Sequence, residues 1–250
     1  MSAQNYFQAV DGLLKKIQAT QSENIGKAGR LFAECIEKGG WVYLFGSGHS
    51  VIPVLDVYPR YGSFVGFRPL MDPRLMWFNV VGPGGAPELL WLERQEGYVK
   101  NFLRNWDFSS NDALLVYSHG GMNAAPIEAG LYARKYGTQV VAVTSVANQE
   151  MNPPKHSSGK SLKDVADIVI DNCVPPEDSL VDVGQPEKVG AGSTFAVITI
   201  SMALVAETAA CLRHKGRHLD TFVSPNVPGI GPDHNEQVFN TYRRRCSRSK

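Results

Sequence analysis

The chain has 250 residues, enough for one large domain or two small ones at about 150 residues per domain. Hydrophobic residues make up 43% and charged residues 20%, a globular composition that excludes a disordered chain. Lys and Arg total 25 against 24 Asp and Glu, so no broad positive field is available for a nucleic-acid backbone or an acidic membrane, and any bound anion must be gripped locally.

Tyr6, Val10, Leu13 and Ile17, then Ile25, Ala28, Leu31, Phe32, Cys35 and Ile36, recur at helical spacing until Gly39 and Gly40 stop the helix. Asp11 interrupts the apolar pattern and no small-residue cleavage site follows, so this start is not expected to be a signal peptide. Residues 41–45 form an apolar run between glycines, suited to a strand buried on both faces. Residues 64–67 are a weaker strand candidate. Residues 87–106 read as one helix, with a stripe of Leu89, Leu92, Glu96, Val99, Leu103 and Trp106. Residues 113–117 and 139–144 are further strands, separated by a helix running to about Tyr136, and residues 168–170 are a shorter one. Residues 195–212 form the last long helix. Thr199, Ser201 and Glu207 interrupt its apolar run, which falls short of the ~20 residues needed to cross a bilayer. The Gly/Pro stretches at 82–87 and 224–232 are expected to be surface loops. Arg243, Arg244 and Arg245, with Arg248 and Lys250, are expected in a solvated, frayed terminus. The alternation predicts an α/β three-layer sandwich with a central parallel sheet. One domain is expected over 1–250, with an N-terminal helical segment and a C-terminal extension. Cys35, Cys173, Cys211 and Cys246 have no zinc or redox spacing and are expected as reduced thiols.

In such a sheet ligands bind outside the carboxyl ends of the strands, so the loops there carry the argument. Gly46, Ser47, Gly48, His49 and Ser50 follow the first strand. Ser118, His119, Gly120, Gly121, Met122 and Asn123 follow a later one. Glycines let backbone N–H groups converge on an anion, hydroxyls add donors, and the helix behind adds its positive end. Gly190, Gly192, Ser193 and Thr194 repeat that chemistry at the last long helix. A dinucleotide fingerprint fits poorly, since its third glycine position is Val51 and its acidic residue would have to be Asp72. No nucleophile elbow is present.

The chain resembles the SIS (sugar isomerase) phosphosugar-binding family, and more narrowly its UPF0309-type branch. The segments that carry this are Gly-Ser-Gly-His-Ser at 46–50, Glu-Arg-Gln-Glu-Gly-Tyr at 93–98, His-Ser-Ser-Gly-Lys at 156–160 and Ala-Asp-Ile-Val-Ile-Asp-Asn at 166–172. Phe-Val-Ser at 222–224, Asn226 and Asp-His-Asn at 233–235 add to it. The resemblance implies a flavodoxin-like sheet, a homodimer or dimer of dimers, and a sugar-phosphate ligand at the strand ends. It does not fix a reaction, because the family includes isomerases, lyases, deaminases and ligand sensors. One position departs. The family's second loop usually reads S-x-S-G, and here Ser118 matches the first serine while Gly120 replaces the second. His119 is a candidate to compensate when protonated.

Aldose–ketose isomerisation needs a base near neutral pKa, kept from bulk water. Glu96, inside the apolar stripe, is the first candidate, because burial would raise its pKa. Glu93, three residues earlier, is the second. His49 and His119 lie in the two cradle loops and are candidates for ring opening or proton relay. His156 and Ser157 lie in a loop whose serines and lysines could close over an anion. Asp56 and Arg60 are four apart and either pair with each other or face the ligand. Glu128 is read as a helix-dipole carboxylate. No metal or other cofactor is expected. The resulting expectation is a cytoplasmic aldose–ketose sugar-phosphate isomerase with Glu96 as base, partnered by neither nucleic acid nor membrane. The alternatives are a non-catalytic sugar-phosphate sensor, or a lyase or deaminase acting on an amino sugar phosphate.

Overall fold

A 36-residue helix, α1 (Ser2–Glu37), opens the chain. The computed structural model describes residues 2–76 and 86–247. After α1 come β1 (Val42–Phe45), α2 (Val51–Val57), β2 (Phe67–Pro69), α3 (Ala86–Leu92), α4 (Tyr98–Leu103), β3 (Ala113–Tyr117) and α5 (Ala124–Arg134). β4 (Gln139–Thr144), α6 (Val146–Met151), α7 (Leu162–Val165) and β5 (Ile168–Asp171) follow. The chain ends with β6 (Ser179–Val181), β7 (Val189–Ala191), α8 (Ser193–His214) and α9 (His234–Ser247).

The first five strands form one sheet in the order β2-β1-β3-β4-β5, every pair parallel. β1 and β3 are buried at every position, as continuous apolar runs covered on both faces must be. Two groups of helices flank the sheet. α1 packs along α8 and reaches β1, β3 and β5, while α5 packs on β3 and β4 with α4 and α7 beside it. This is the three-layer α/β architecture that the alternation predicted. α8 has 22 residues, and an 18-residue stretch of it has a mean hydropathy of 2.0, long and apolar enough to cross a bilayer despite the interruptions in its sequence. Here it is packed against α1 and α2. The four cysteines are free thiols.

Three expectations need correction, and one element was not expected. The strand expected at 64–67 starts at Phe67, because Phe64 forms an antiparallel bridge to Thr221 instead. The helix expected over 87–106 is two helices, α3 and α4, divided near Gly97, whose φ of 90° is left-handed. Through Ser247 the basic tail is not frayed, and Arg248 and Lys250 lie outside the described residues. Val238, Phe239 and Tyr242 give α9 an apolar face, and Tyr242 stacks on Tyr58 with ring centroids 4.7 Å apart. Arg245 lies over the Trp41 ring at 4.6 Å and donates to Gly40 O. β6 and β7 pair as an antiparallel hairpin that the sequence pattern did not suggest. Of the expected loops, 224–232 is one, 82–85 lies outside the described residues, and 86–87 begins α3.

Candidate functional site

From β1 the chain moves to β2 on one side, and from β3 to β4 and β5 on the other. The loops after β1 and β3 therefore diverge over adjacent strand ends and leave a crevice, the usual ligand position in open parallel sheets. Both glycine-rich loops sit there. In the first, Gly48 has a φ of 58° and Ser50 N donates to Ser47 O at 3.0 Å. In the second, Gly121 has a φ of 64°, and a Cβ there would lie 2.4 Å from Gln149 Nε2. Only glycine fits that position. Gly121 N donates to Ser118 Oγ at 3.1 Å, and Gly121 O accepts from Leu162 N at 2.8 Å. Among the described residues, no protein acceptor takes the N–H groups of Gly120, Met122, Asn123 or Ala124. The loop is fixed by its ends and presents donors at its tip.

Glu93 bridges the two loops. It follows α3, its side chain turned inward, and the residue is 7% exposed. Ser47 Oγ donates to Oε2 at 2.7 Å, and Asn123 Nδ2 donates to Oε1 at 2.6 Å. Its carbonyl accepts from Ala125 N at 2.9 Å, in the first turn of α5. Burial raises the Glu93 pKa above the ordinary 4.5, against the opposing pull of the Ser47 hydrogen bond.

Glu96 is not in the core. α3 ends at Leu92 and α4 starts only after Gly97, so Glu96 lies in the turn between them and not on a helical stripe, and its side chain is 40% exposed. Ser157 donates to it through N at 2.7 Å and through Oγ, and these bonds hold its carboxyl below the usual range. The buried carboxylate is therefore Glu93, the reverse of the order expected from the stripe. Glu128 lies beyond the first turn of α5, which starts at Ala124, so it is not the helix-dipole carboxylate expected; it accepts from Gly97 N at 2.6 Å and secures this turn instead.

The remaining candidates divide. His49 is exposed and Ser50 half-buried, both beside Gly48 in a single turn of 3-10 helix. His119 is held away by the segment after β5, with Nδ1 3.1 Å from Asn172 Nδ2 and Nε2 3.3 Å from Pro176 O. The amide donates to Nδ1, which leaves the ring proton on Nε2. The helix start at Ser193 and Thr194 already has an anion. Asp178 accepts from Gly192 N at 3.1 Å, Ser193 N at 2.7 Å and Ser193 Oγ at 2.6 Å. That third cradle is filled by the chain's own carboxylate. Asp56, in the last turn of α2, pairs at 2.6 Å with Arg60 just past it, at the far end of a helix about 10 Å long. Asp72 accepts from Arg74 and from Tyr98 Oη, a structural use that removes it from any ribose role. Among the described residues, no three His, Cys, Asp or Glu side chains gather as a metal site.

Residues 5–145 match the model of the SIS domain. The chain belongs to the SIS family. Its place is the UPF0309 branch. A UPF0309 protein of Halalkalibacterium halodurans is 31% identical over 239 residues, covering 95% of this chain and 96% of the relative. One of Streptomyces coelicolor is 32% identical over 246 residues, covering 97% and 96%. Among solved structures, the phosphoheptose isomerase GmhA of Neisseria gonorrhoeae superposes with a TM-score of 0.53 at 15% identity, covering 82% of this chain and 94% of that one. A phosphoheptose isomerase of Francisella tularensis gives 0.52 at 15%, covering 85% and 96%. At that identity these two establish the SIS fold alone.

The residue that caps α8 has no local signal in the sequence of this SIS chain. Asp178 stands 15 residues from Ser193, and only the β6–β7 hairpin brings the two together.

Proposed function

We propose that the protein binds a phosphorylated sugar in the crevice between the loops after β1 and β3, and interconverts its aldose and ketose forms with Glu93 as the base. The observation that carries this reading is Glu93 itself: a buried carboxylate of raised pKa at the strand ends, between two glycine-rich loops. SIS membership and the named activity of the phosphoheptose isomerases support the sugar-phosphate half. In the ionised state Glu93 takes the proton from the carbon next to the carbonyl and returns it to the neighbouring carbon of the enediol. Ser47 and Asn123 hold the carboxylate in position throughout. The reading includes a homodimer, in which a second copy covers apolar surface such as Phe7 and Leu14 on α1. It also places the protein in the cytoplasm, where sugar phosphates and reduced thiols occur together.

Incubation with aldose and ketose phosphates of three to seven carbons in heavy water tests the chemistry. Deuterium should enter at the carbon next to the carbonyl of at least one of them, and exchange in none sinks the isomerase. A binding-only role is the second reading. One observation favours it: each Glu93 oxygen already accepts a hydrogen bond, as in a structural tie. Saturable binding without exchange selects it.

A further inference from the structure

The loop after β3 has no side-chain donor at Gly120 or Gly121, so its use as a cradle depends on where its backbone N–H groups point. Two carbonyls decide that. His119 O accepts from Ser145 N at 2.9 Å and from Thr144 Oγ1 at 3.3 Å, and Gly121 O accepts from Leu162 N at 2.8 Å. In a trans peptide the N–H points opposite to the C=O. Tying down these two carbonyls therefore turns the Gly120 and Met122 N–H groups to the opposite side, where no protein acceptor takes them among the described residues.

One side chain joins the groups that do the tying. Gln149, on α6, is 5% exposed, and Thr144 is fully buried. Gln149 Nε2 donates to Thr144 Oγ1 at 2.6 Å, and Oε1 accepts from Lys163 N at 2.9 Å, next to Leu162. A backbone N–H can only donate, so Lys163 N fixes which end of the amide faces Thr144. The hydrogen bonds then run one way, from Gln149 through the Thr144 hydroxyl to His119 O. The carboxamide also lies against the backbone of Gly121, where a Cβ would come within 2.4 Å of Nε2 and 2.6 Å of Cδ. The loop rests on a buried wedge that is bonded at both ends.

We propose that Gln149 is a positioning residue: it sets the direction of the cradle's N–H groups, and so their grip on an anion, without touching the ligand. The proposal rests on the phosphosugar reading and deepens it. With Gly120 in place of the family's second serine, the grip depends on backbone donors, and these weaken steeply when their angle is lost.

Equilibrium dialysis of inorganic phosphate against Gln149→Glu tests this, with the wild-type protein as reference at each pH. An ionised carboxylate only accepts, so the Thr144 hydroxyl turns to it and leaves His119 O. At about pH 8 the variant should bind phosphate about tenfold or more weakly. A protonated carboxyl again donates to Thr144 and accepts from Lys163 N. The ratio to wild type should therefore return toward one as pH falls through the pKa of the introduced carboxyl, which burial raises. Gln149→Met keeps the bulk, lacks the donor and should bind weakly at every pH. Circular dichroism below the melting temperature confirms that each variant is folded, and a residue that only stabilises the fold would leave affinity unchanged there. If neither variant folds, Thr144→Val keeps the shape, cuts the chain of bonds at its middle and should weaken binding about threefold. Wild-type affinity in any of these variants when folded at about pH 8, or a loss in Gln149→Glu that acid does not reverse, overturns the proposal and leaves the phosphosugar reading intact. Failure of the wild-type protein to bind either inorganic phosphate or glucose 6-phosphate overturns both.

Discussion

Replacing Glu93 separates a catalytic carboxylate from a structural tie. Its oxygens accept from Ser47 Oγ at 2.7 Å and Asn123 Nδ2 at 2.6 Å, and both partners are half-buried. Glu93→Gln keeps the shape. Its oxygen can accept from Asn123 while its amide donates to Ser47 Oγ, and no charge is left in the core. The expected stability change is below about 1 kcal/mol, in line with one neutral hydrogen bond exchanged for another. Glu93→Ala removes both acceptors. At about 1 kcal/mol for each half-buried donor left unpaired, it should destabilise by about 2 kcal/mol. Urea unfolding of the two variants reads this difference. Exchange of solvent deuterium into a sugar phosphate should fall by about a hundred- to ten-thousandfold in Glu93→Gln, the usual loss on removing a general base. The reasoning is refuted if the Gln variant unfolds as easily as the Ala variant, or if it keeps wild-type exchange.

Four further outcomes follow from the same geometry. Burial raises the folded pKa of Glu93 above its ordinary 4.5, so the folded state holds an extra proton between those two values and stability falls as pH rises through that window; Glu93→Gln should remove this slope from the unfolding free energy, and the acid limb of kcat/KM should titrate above 4.5. At Gly120 a Cβ would meet nothing nearer than Asn148 Nδ2 at 4.0 Å; Gly120→Ser should therefore fold normally and tighten inorganic phosphate binding by up to about tenfold, whereas unchanged affinity in dialysis would place the anion away from this loop. Asp178→Ala leaves the start of α8 uncapped and should lower the unfolding free energy by about 1–2 kcal/mol in urea. Arg245→Ala removes a cation from the Trp41 face and donors from Gly40 O and Ile36 O, and should lower it by about 1–3 kcal/mol, while a truly frayed tail would show no change.

The parallel sheet was legible because β1, β3, β4 and β5 are each short apolar runs that end where glycines or turn residues begin. Both cradle loops were legible for the same reason: their glycines directly follow a strand. The choice between Glu93 and Glu96 was not. Apolar periodicity carries through Gly97 on paper, and only its left-handed backbone shows that the helix stops. Asp178 was hidden because capping the start of α8 depends on a hairpin of short strands with exposed positions. The packed tail was readable in principle. Val238, Tyr242 and Arg245 recur at steps of four and three, but the run of arginines drew attention to charge instead of to spacing.

The central claim is a place: a sugar phosphate seated at the strand ends, its reacting carbons against Glu93. The most direct measurement is a crystal structure of Glu93→Gln with a bound sugar phosphate that the wild-type protein exchanges. The account predicts the phosphorus at the glycine-rich loops after β1 and β3, and the carbon next to the carbonyl within hydrogen-bond distance of the substituted side chain at position 93. Ligand density at the opposite edge of the sheet, or with the carbonyl end turned away from position 93, would contradict it.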